Sequence, residues 1–254
     1  MSNGTFAKLK LKENLFLVKK LGFENVEFNL KSVQRENDTS VYEAVKLIAN
    51  YGLLCLTLHS ATLPVKDEVE IHRAVYYGKI SVDFASKLGS PIMVIHSNVS
   101  RQVSLENRRK FLHLIFEELK PYAHSHGLKL SLENLSYASH GYGKNVAEIE
   151  EILDAVGDDE IGLTLDFCHS TASGTTQSLL EKYYKRLCNV HLSNRGHKPF
   201  AEKTPELVAF LKNLKKYDYR GPVTLELNRK CTMQEIAQTK AIVECVMREC
   251  ETEK

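Results

Sequence analysis

The sequence predicts a single α/β domain, a (β/α) barrel with seven clear strands and a first strand that is short or missing. Short runs of apolar and β-branched residues recur about every 30 residues, and segments with helical periodicity lie between them. Most of these runs are apolar at nearly every position, as in strands buried on both faces of a parallel sheet. No stretch rich in Pro, Gly or Ser interrupts the alternation. We therefore expect residues 1–254 to form one domain.

Each predicted strand is bounded by signals that end or begin a helix. Glycines such as Gly52 and Gly127 precede strands, where a helix commonly ends in a left-handed residue. The first helical segment, residues 6–21, stops at Gly22. Later helices are predicted to start at Asn145, Thr204 and Thr232, which are capping residues. The predicted strands are residues 25–28, 53–58, 92–95, 128–132, 161–165, 188–192 and 223–227.

The start of the chain is too short for an ordinary first barrel strand. Residues 1–5 precede the first helical segment, could span at most ~17 Å, and include an Asn3-Gly4 pair typical of turns. Either the first strand is vestigial or the barrel has seven strands. A missing strand would expose a sheet edge. We expect the N-terminal segment, a swapped element or a partner subunit of a homo-oligomer to cover that edge.

Composition and motifs exclude several functional classes. With 34 Lys plus Arg against 32 Asp plus Glu, the chain lacks the positive charge of a dedicated nucleic-acid binder. Its apolar runs are far shorter than the ~20 residues of a membrane span, and no secretory segment is evident, so we expect a cytoplasmic protein with no membrane partner. No glycine-rich phosphate motif follows a strand, which predicts no nucleotide cofactor.

Polar residues recur at the carboxyl ends of successive predicted strands. In a barrel these ends converge on one mouth, where active sites form. Carboxylates gathered there repel one another unless protons or a cation lie between them, and the mixture with imidazoles favours Zn, Mn, Co or Fe(II) over Ca or Mg. The sequence thus predicts a divalent metal. The residues, 25 to 37 positions apart, are His59, His96, Glu133, Asp166, His191 and Glu226.

These strand ends resemble those of the xylose isomerase-like TIM barrel superfamily. The superfamily contains sugar and sugar-phosphate isomerases and epimerases together with the endonuclease IV type of apurinic endonuclease. The resemblance extends from Gly22 onward. The segments that carry it are Leu-Thr-Leu-His59-Ser, Val-Ile-His96-Ser, Leu-Ser-Leu-Glu133-Asn, Leu-Thr-Leu-Asp166-Phe-Cys-His169, Asn-Val-His191-Leu-Ser and Thr-Leu-Glu226-Leu.

The resemblance implies a metal site and an acid–base pair. Glu133, Asp166, His191 and Glu226 match the four ligands of the single-metal site in keto-sugar epimerases. Glu133 and Glu226 would then transfer a proton on opposite faces of a substrate carbon, through an enediolate. His169 matches a position that contacts substrate in the epimerases and a further zinc in the endonucleases.

Other matches leave the number of metals open. His59 and His96 match the endonuclease pair that holds a second metal with a bridging glutamate, although isomerase-like relatives also carry histidines there. Endonuclease relatives complete a third zinc site with an Asp-x-His after the seventh-strand histidine. This chain offers only Asp218 and His197 in that interval, so the resemblance implies an incomplete three-zinc centre.

The leading hypothesis is a metal-dependent isomerase or epimerase whose partner is a small sugar or sugar phosphate. The alternative is hydrolysis of abasic-site DNA, and a third class is a dehydratase or a non-catalytic metal-binding barrel. Basic loop residues are candidates to bind a phosphate or carboxylate of the substrate, with solvated loop charges as the competing interpretation. They are Lys144, Arg195, His197 and Lys198.

Overall fold

Seven parallel strands form one sheet in the computed structural model, which describes residues 1–30, 41–61, 64–97, 99–157 and 161–252. The strands are paired in chain order, so the sheet winds in one direction into a nearly closed barrel. The predicted barrel is confirmed, with strand ends shifted by at most two residues. The strands are β1 Asn25–Asn29, β2 Leu54–His59, β3 Ile92–Ile95, β4 Lys129–Glu133, β5 Gly162–Asp166, β6 Leu187–Leu192 and β7 Val223–Leu225.

Helices follow the strands and cover the outside of the sheet. Three predicted helix starts are confirmed, because Asn145, Thr204 and Thr232 each accept a hydrogen bond from a backbone N–H three residues later. The helices are α1 Leu11–Lys20, α2 Val41–Asn50, α3 Glu68–Lys87, α4 Leu105–Ser125, α5 Val146–Val156, α6 Phe167–Ser173, α7 Thr176–Tyr183, α8 Pro205–Lys216 and α9 Met233–Thr252.

The N-terminal segment takes the place of the missing first strand. Ser2 N–H donates to the Leu225 carbonyl at 2.9 Å, and Glu27 N–H donates to the Met1 carbonyl at 3.0 Å. Ser2 also forms a parallel bridge with Glu27, so this segment lies between β1 and β7. Of the three expected ways to cover the sheet edge, the structure shows the first. The first strand is vestigial.

Residues 3–6 form a 3-10 turn that is anchored to the barrel, and α1 begins only at Leu11. The prediction that a helix starts at residue 6 was therefore wrong. Asn3 Oδ1 accepts from the Asn29 N–H at 2.8 Å, and the Thr5 hydroxyl donates to the Leu227 carbonyl at 3.0 Å. These long-range hydrogen bonds hold the segment against the strand ends, so the helix begins later in the chain than predicted.

A buried polar layer fills the barrel directly beneath the mouth. Alternation along a strand makes a residue two positions before a mouth residue point into the same interior. Ser131 and Thr164 are such residues, and their hydroxyls lie 2.6 Å apart. The Thr57 hydroxyl donates to Glu27 Oε2 at 3.0 Å. Residues facing outward, such as Leu58, pack in the apolar core. The mouth residues therefore stand on a hydrogen-bonded base.

Candidate active site

Glu133, at the end of β4, is the centre of the cluster at the barrel mouth. Its Oε2 lies 3.0 Å from His59 Nε2 and 2.9 Å from His96 Nε2. Its Oε1 lies 3.2 Å from His191 Nδ1. The carboxylate is buried, with 2% of the side chain exposed. Three strand-end histidines from β2, β6 and the end of β3 thus converge on one glutamate, as the barrel geometry requires.

His191 lies between carboxylates on both sides of its ring. Nδ1 is 3.3 Å from Glu226 Oε2 and 4.0 Å from Asp166 Oδ2, in addition to its contact with Glu133. Nε2 is 2.8 Å from Glu27 Oε2, on the side facing the barrel interior. Sequence reasoning did not assign Glu27 to the site. The available signal was a carboxylate between two apolar residues, Val26 and Phe28, of the first predicted strand.

The pKa values of the cluster are shifted because buried carboxyl groups surround the imidazole of His191. Burial raises the pKa of Glu133 and of Glu226, but the neighbouring histidines, His191 foremost, together outweigh burial and hold both pKa values below their ordinary range. Burial lowers the pKa of His191, yet Glu27, Glu226 and Glu133 together outweigh burial and raise that pKa well above normal. Burial, followed by the charge of Glu133, raises the pKa of Asp166 to about 8. The cluster therefore retains protons that a cation would replace.

The four predicted ligands fit a divalent metal. Glu133, Asp166, His191 and Glu226 each offer a ligand atom, and these atoms all lie within 4.8 Å of one another. Asp166 Oδ2 is buried and has no hydrogen-bond partner. A buried carboxylate oxygen without a partner is costly unless a cation neutralises it. Three carboxylates and one imidazole form a donor set suited to Zn, Mn, Co or Fe(II).

Two further groups of possible ligands adjoin these four residues. One group is His59, His96 and Glu133. The other is Asp166, His169 and His197, and in it His169 Nε2 lies 3.2 Å from His197 Nε2. The structure therefore brings His59, His96 and His169 to the mouth with the predicted ligands. Asp218, by contrast, is exposed and pairs with Arg220.

His197 reaches the cluster from a strained backbone position. Its φ is +54°, in the left-handed region that side chains other than glycine seldom adopt. Asn228 fixes this conformation, since its backbone and side-chain N–H groups donate to the His197 carbonyl at 2.7 and 3.1 Å. The loop after β6 thus directs an imidazole toward His169, a contact that residue spacing alone does not reveal.

The other predicted anion-binding residues lie in different surroundings. The Lys144 ammonium donates to the carbonyls of Tyr137 and Ser139 at 2.9 and 2.6 Å, which ties together the loop after β4. Arg195 and Lys198 are exposed on the loop after β6. Of the four candidates, His197 is the one for which the structure shows contacts with mouth residues.

The family model described as xylose isomerase-like TIM barrel matches residues 15–250. The chain belongs to this family. A curated relative in this comparison, an inosose isomerase of Bacillus velezensis, is 24% identical over 92% of this chain and 91% of its own length. A second inosose isomerase, from Halalkalibacterium halodurans, is 28% identical over 65% of this chain and 62% of that relative. This chain thus spans less than two thirds of the second relative.

Solved structures of similar fold cover almost the whole of this family member. A D-tagatose 3-epimerase-like protein has a TM-score of 0.83 at 18% identity, with 99% of this chain and 97% of that chain covered. The IOLI protein with a bound zinc atom has a TM-score of 0.79 at 22% identity, with coverage of 98% and 97%. These likenesses establish the fold. None of the helices in the described ranges is long and apolar enough to span a membrane.

Proposed function

We propose that this family member is a divalent-metal-dependent isomerase or epimerase of a keto sugar, a sugar phosphate or a related polyol. The observation that carries the proposal is the convergence of Glu133, Asp166, His191 and Glu226 within 4.8 Å at the barrel mouth. The two inosose isomerase relatives and the zinc in one structural neighbour support it.

The metal would be held by Glu133, Asp166, His191 and Glu226. Asp166 would contribute Oδ2, the oxygen that has no hydrogen-bond partner. When bound, a divalent ion supplies Lewis acidity that stabilises negative charge on a carbonyl oxygen and its neighbouring hydroxyl. Glu27 would position the ring of His191 from below through its 2.8 Å contact.

Proton transfer falls to Glu133 and Glu226. They stand on β4 and next to β7, and their carboxylates approach His191 Nδ1 at 3.2 and 3.3 Å. Their lowered pKa values keep both carboxylates ionised near neutral pH, as a general base requires. One of them would take the proton from the carbon beside the carbonyl, leaving an enediolate, and the same or the other glutamate would return it.

The surrounding histidines divide into two pairs. His59 and His96 contact Glu133 Oε2 and would orient that carboxylate. His169 and His197 contact each other instead, Nε2 to Nε2 at 3.2 Å, and 15% and 30% of their side chains are exposed. We assign this second pair to contact with substrate hydroxyls. Glu226, 20% exposed against 2% for Glu133, would be the glutamate nearer to entering substrate.

The test is conversion of small keto compounds by protein loaded with zinc or manganese. The probes are D-fructose, D-tagatose, 2-keto-myo-inositol and D-fructose 6-phosphate, with products separated by chromatography. We expect at least one probe to be converted and the Glu226→Gln variant to lose about 10²- to 10⁴-fold in rate. Glu202→Gln, a change at an exposed surface glutamate, is the matched control. Absence of conversion with every probe and both metals would refute the proposal.

A second candidate is hydrolysis of abasic-site DNA. Three adjoining ligand groups favour it, because phosphodiester hydrolysis commonly uses more than one metal. The same metal-loaded protein, incubated with a duplex that contains an abasic site, decides between the two. Incision without conversion of any keto sugar would favour the endonuclease.

A further inference from the structure

A cavity opens beside His96, next to the predicted metal ligand Glu133. Its volume is about 350 Å³, within the range of roughly 300–1,000 Å³ typical of small-molecule sites. We call it the side pocket. The residues that line it come from the loops after β2, β3 and β4, and they are Pro64, Lys66, His96, Val99, Ser100, Gln102, Leu135, Ser139, His140 and Gly141.

Backbone contacts between the three loops give the side pocket a fixed wall. Val65 forms a parallel bridge with Val99, and Ser100 forms an antiparallel bridge with Gly141. The Ser97 hydroxyl donates to the Tyr142 carbonyl at 2.7 Å. The loops are therefore joined to one another above the barrel, and the pocket is built before any ligand enters.

Gly141 shapes the wall by its lack of a side chain. A Cβ atom there would lie 2.5 Å from Leu135 Cδ1, too close for an unshifted contact. Leu135, 3% exposed, therefore packs directly against the glycine and forms part of the apolar floor with Val99. A larger residue at 141 would displace Leu135.

We propose that the side pocket binds a second sugar ring, joined covalently to the keto sugar that reacts at the barrel mouth. This inference rests on the proposed function. His96 makes the connection, because it lines the pocket while its Nε2 lies 2.9 Å from Glu133 Oε2. A substrate held at Glu133 would thus extend past His96 into the pocket.

The lining has the chemistry of a sugar site. Pro64, which is exposed, offers an apolar surface for the C–H face of a ring, and the buried side chains of Val99 and Leu135 close the floor. Gln102, Ser139 and His140 offer hydrogen-bonding groups for its hydroxyl rim. None of the lining residues in the described ranges is acidic, and Lys66 is the single lysine or arginine among them. An uncharged group with an apolar face fits this lining better than a phosphate, which multiple cationic groups commonly bind.

The experiment compares one-ring and two-ring ketoses on the zinc-loaded protein. D-fructose is the one-ring probe, and maltulose and isomaltulose carry a glucosyl ring on the same fructose. Calorimetry gives Kd and product analysis gives kcat/KM. We expect a two-ring probe to bind about tenfold more tightly than D-fructose. Gln102→Trp, which fills the pocket from an exposed position, should remove that advantage and leave D-fructose binding unchanged. His140→Trp is a second variant with the same purpose.

Arg109→Trp provides the matched control, because it adds the same indole to the exposed face of α4 outside the pocket. It should leave both probes unchanged. The inference is overturned if neither two-ring probe binds more tightly than D-fructose, or if the tryptophan variants in the pocket weaken both probes equally. If one-ring ketoses are converted but two-ring probes bind no more tightly than D-fructose, the inference about the side pocket is overturned and the proposed function stands. If no keto probe, including 2-keto-myo-inositol, is bound or converted, the proposed function falls as well.

Discussion

Glu27 accepts a hydrogen bond from His191 Nε2 at 2.8 Å, on the interior side of the mouth cluster. Both side chains are completely buried, and the Thr57 hydroxyl donates to the same Glu27 oxygen at 3.0 Å. The contact fixes the ring so that Nδ1 faces Glu133 and Glu226. Glu27 thus acts as a positioning residue, comparable to the carboxylates that orient metal-binding histidines in other proteins.

Removal of this carboxylate should weaken metal binding. We expect Glu27→Ala to lower zinc affinity about 10- to 100-fold, because His191 loses the partner that orients it. Competition with a chromophoric chelator measures the change. Glu27→Gln, whose amide oxygen can still accept from Nε2, should retain more affinity than the alanine variant. Equal zinc affinity in wild type and Glu27→Ala would show that the contact does not orient the ligand.

The raised pKa of Asp166 predicts a pH-dependent stability of the metal-free protein. The folded-state pKa is about 8, against an ordinary value of 3.8, so between these values the folded state binds more protons than the unfolded state. Stability should therefore fall as pH rises from 5 to 8, by up to about 1.4 kcal/mol per pH unit for each proton. His191, whose pKa is also raised, adds stability at low pH that is lost as pH rises through its folded-state pKa.

The Asp166→Asn variant isolates the contribution of the Asp166 carboxyl group to the pH dependence of the free energy of unfolding. The amide cannot ionise, yet its oxygen can still accept from the His169 N–H as Asp166 does at 2.7 Å. Urea unfolding in the presence of a chelator, at pH values from 5 to 8, should give a flatter dependence of the free energy of unfolding in this variant. An unchanged slope would contradict the assignment of the proton to Asp166.

The vestigial first strand predicts a stability effect at Leu227, the residue that follows Glu226. The Thr5 hydroxyl donates to the Leu227 carbonyl and accepts from the Leu227 N–H at 3.3 Å. Thr5→Val keeps the shape but leaves two buried backbone groups without that partner. We expect a loss of about 1–3 kcal/mol in the free energy of unfolding by urea. Thr5→Ser, which retains the hydroxyl, should lose less, and equal losses would argue against the hydrogen bonds as the cause.

Metal content distinguishes the four-ligand arrangement from a larger centre. We expect one tightly held zinc per chain after dialysis, measured by elemental analysis. His96→Asn should retain that zinc, because His96 is not among Glu133, Asp166, His191 and Glu226. Two or three zinc ions in the wild type, with fewer in the variant, would instead support the endonuclease arrangement.

Local signals predicted most of the fold and the residues at its mouth. Apolar runs and helix-ending glycines are patterns of residues that are close together in the chain. All seven strands could therefore be predicted from the sequence. The barrel rule then brought the strand ends together. Glu133 and His191, 58 residues apart, lie in contact for this reason.

Contacts without a local pattern were not predictable in the same way. The Glu27 to His191 pair joins residues 164 positions apart, and no periodic feature marks the glutamate as a site residue. The position of His197 depends on its left-handed backbone and on Asn228, which side-chain type alone does not reveal. Lys144 was predicted from its charge, whereas the structure shows its ammonium bound to loop carbonyls.

The most direct test of the account is solvent isotope exchange at the carbon beside the substrate carbonyl. Zinc- or manganese-loaded protein is incubated in D₂O with a keto probe that it converts, and product and recovered substrate are examined by NMR. Proton transfer by Glu133 and Glu226 predicts deuterium at that carbon, with exchange abolished in Glu133→Gln and Glu226→Gln. Conversion with no deuterium in product or substrate, or wild-type exchange in both variants, would contradict the proposed mechanism.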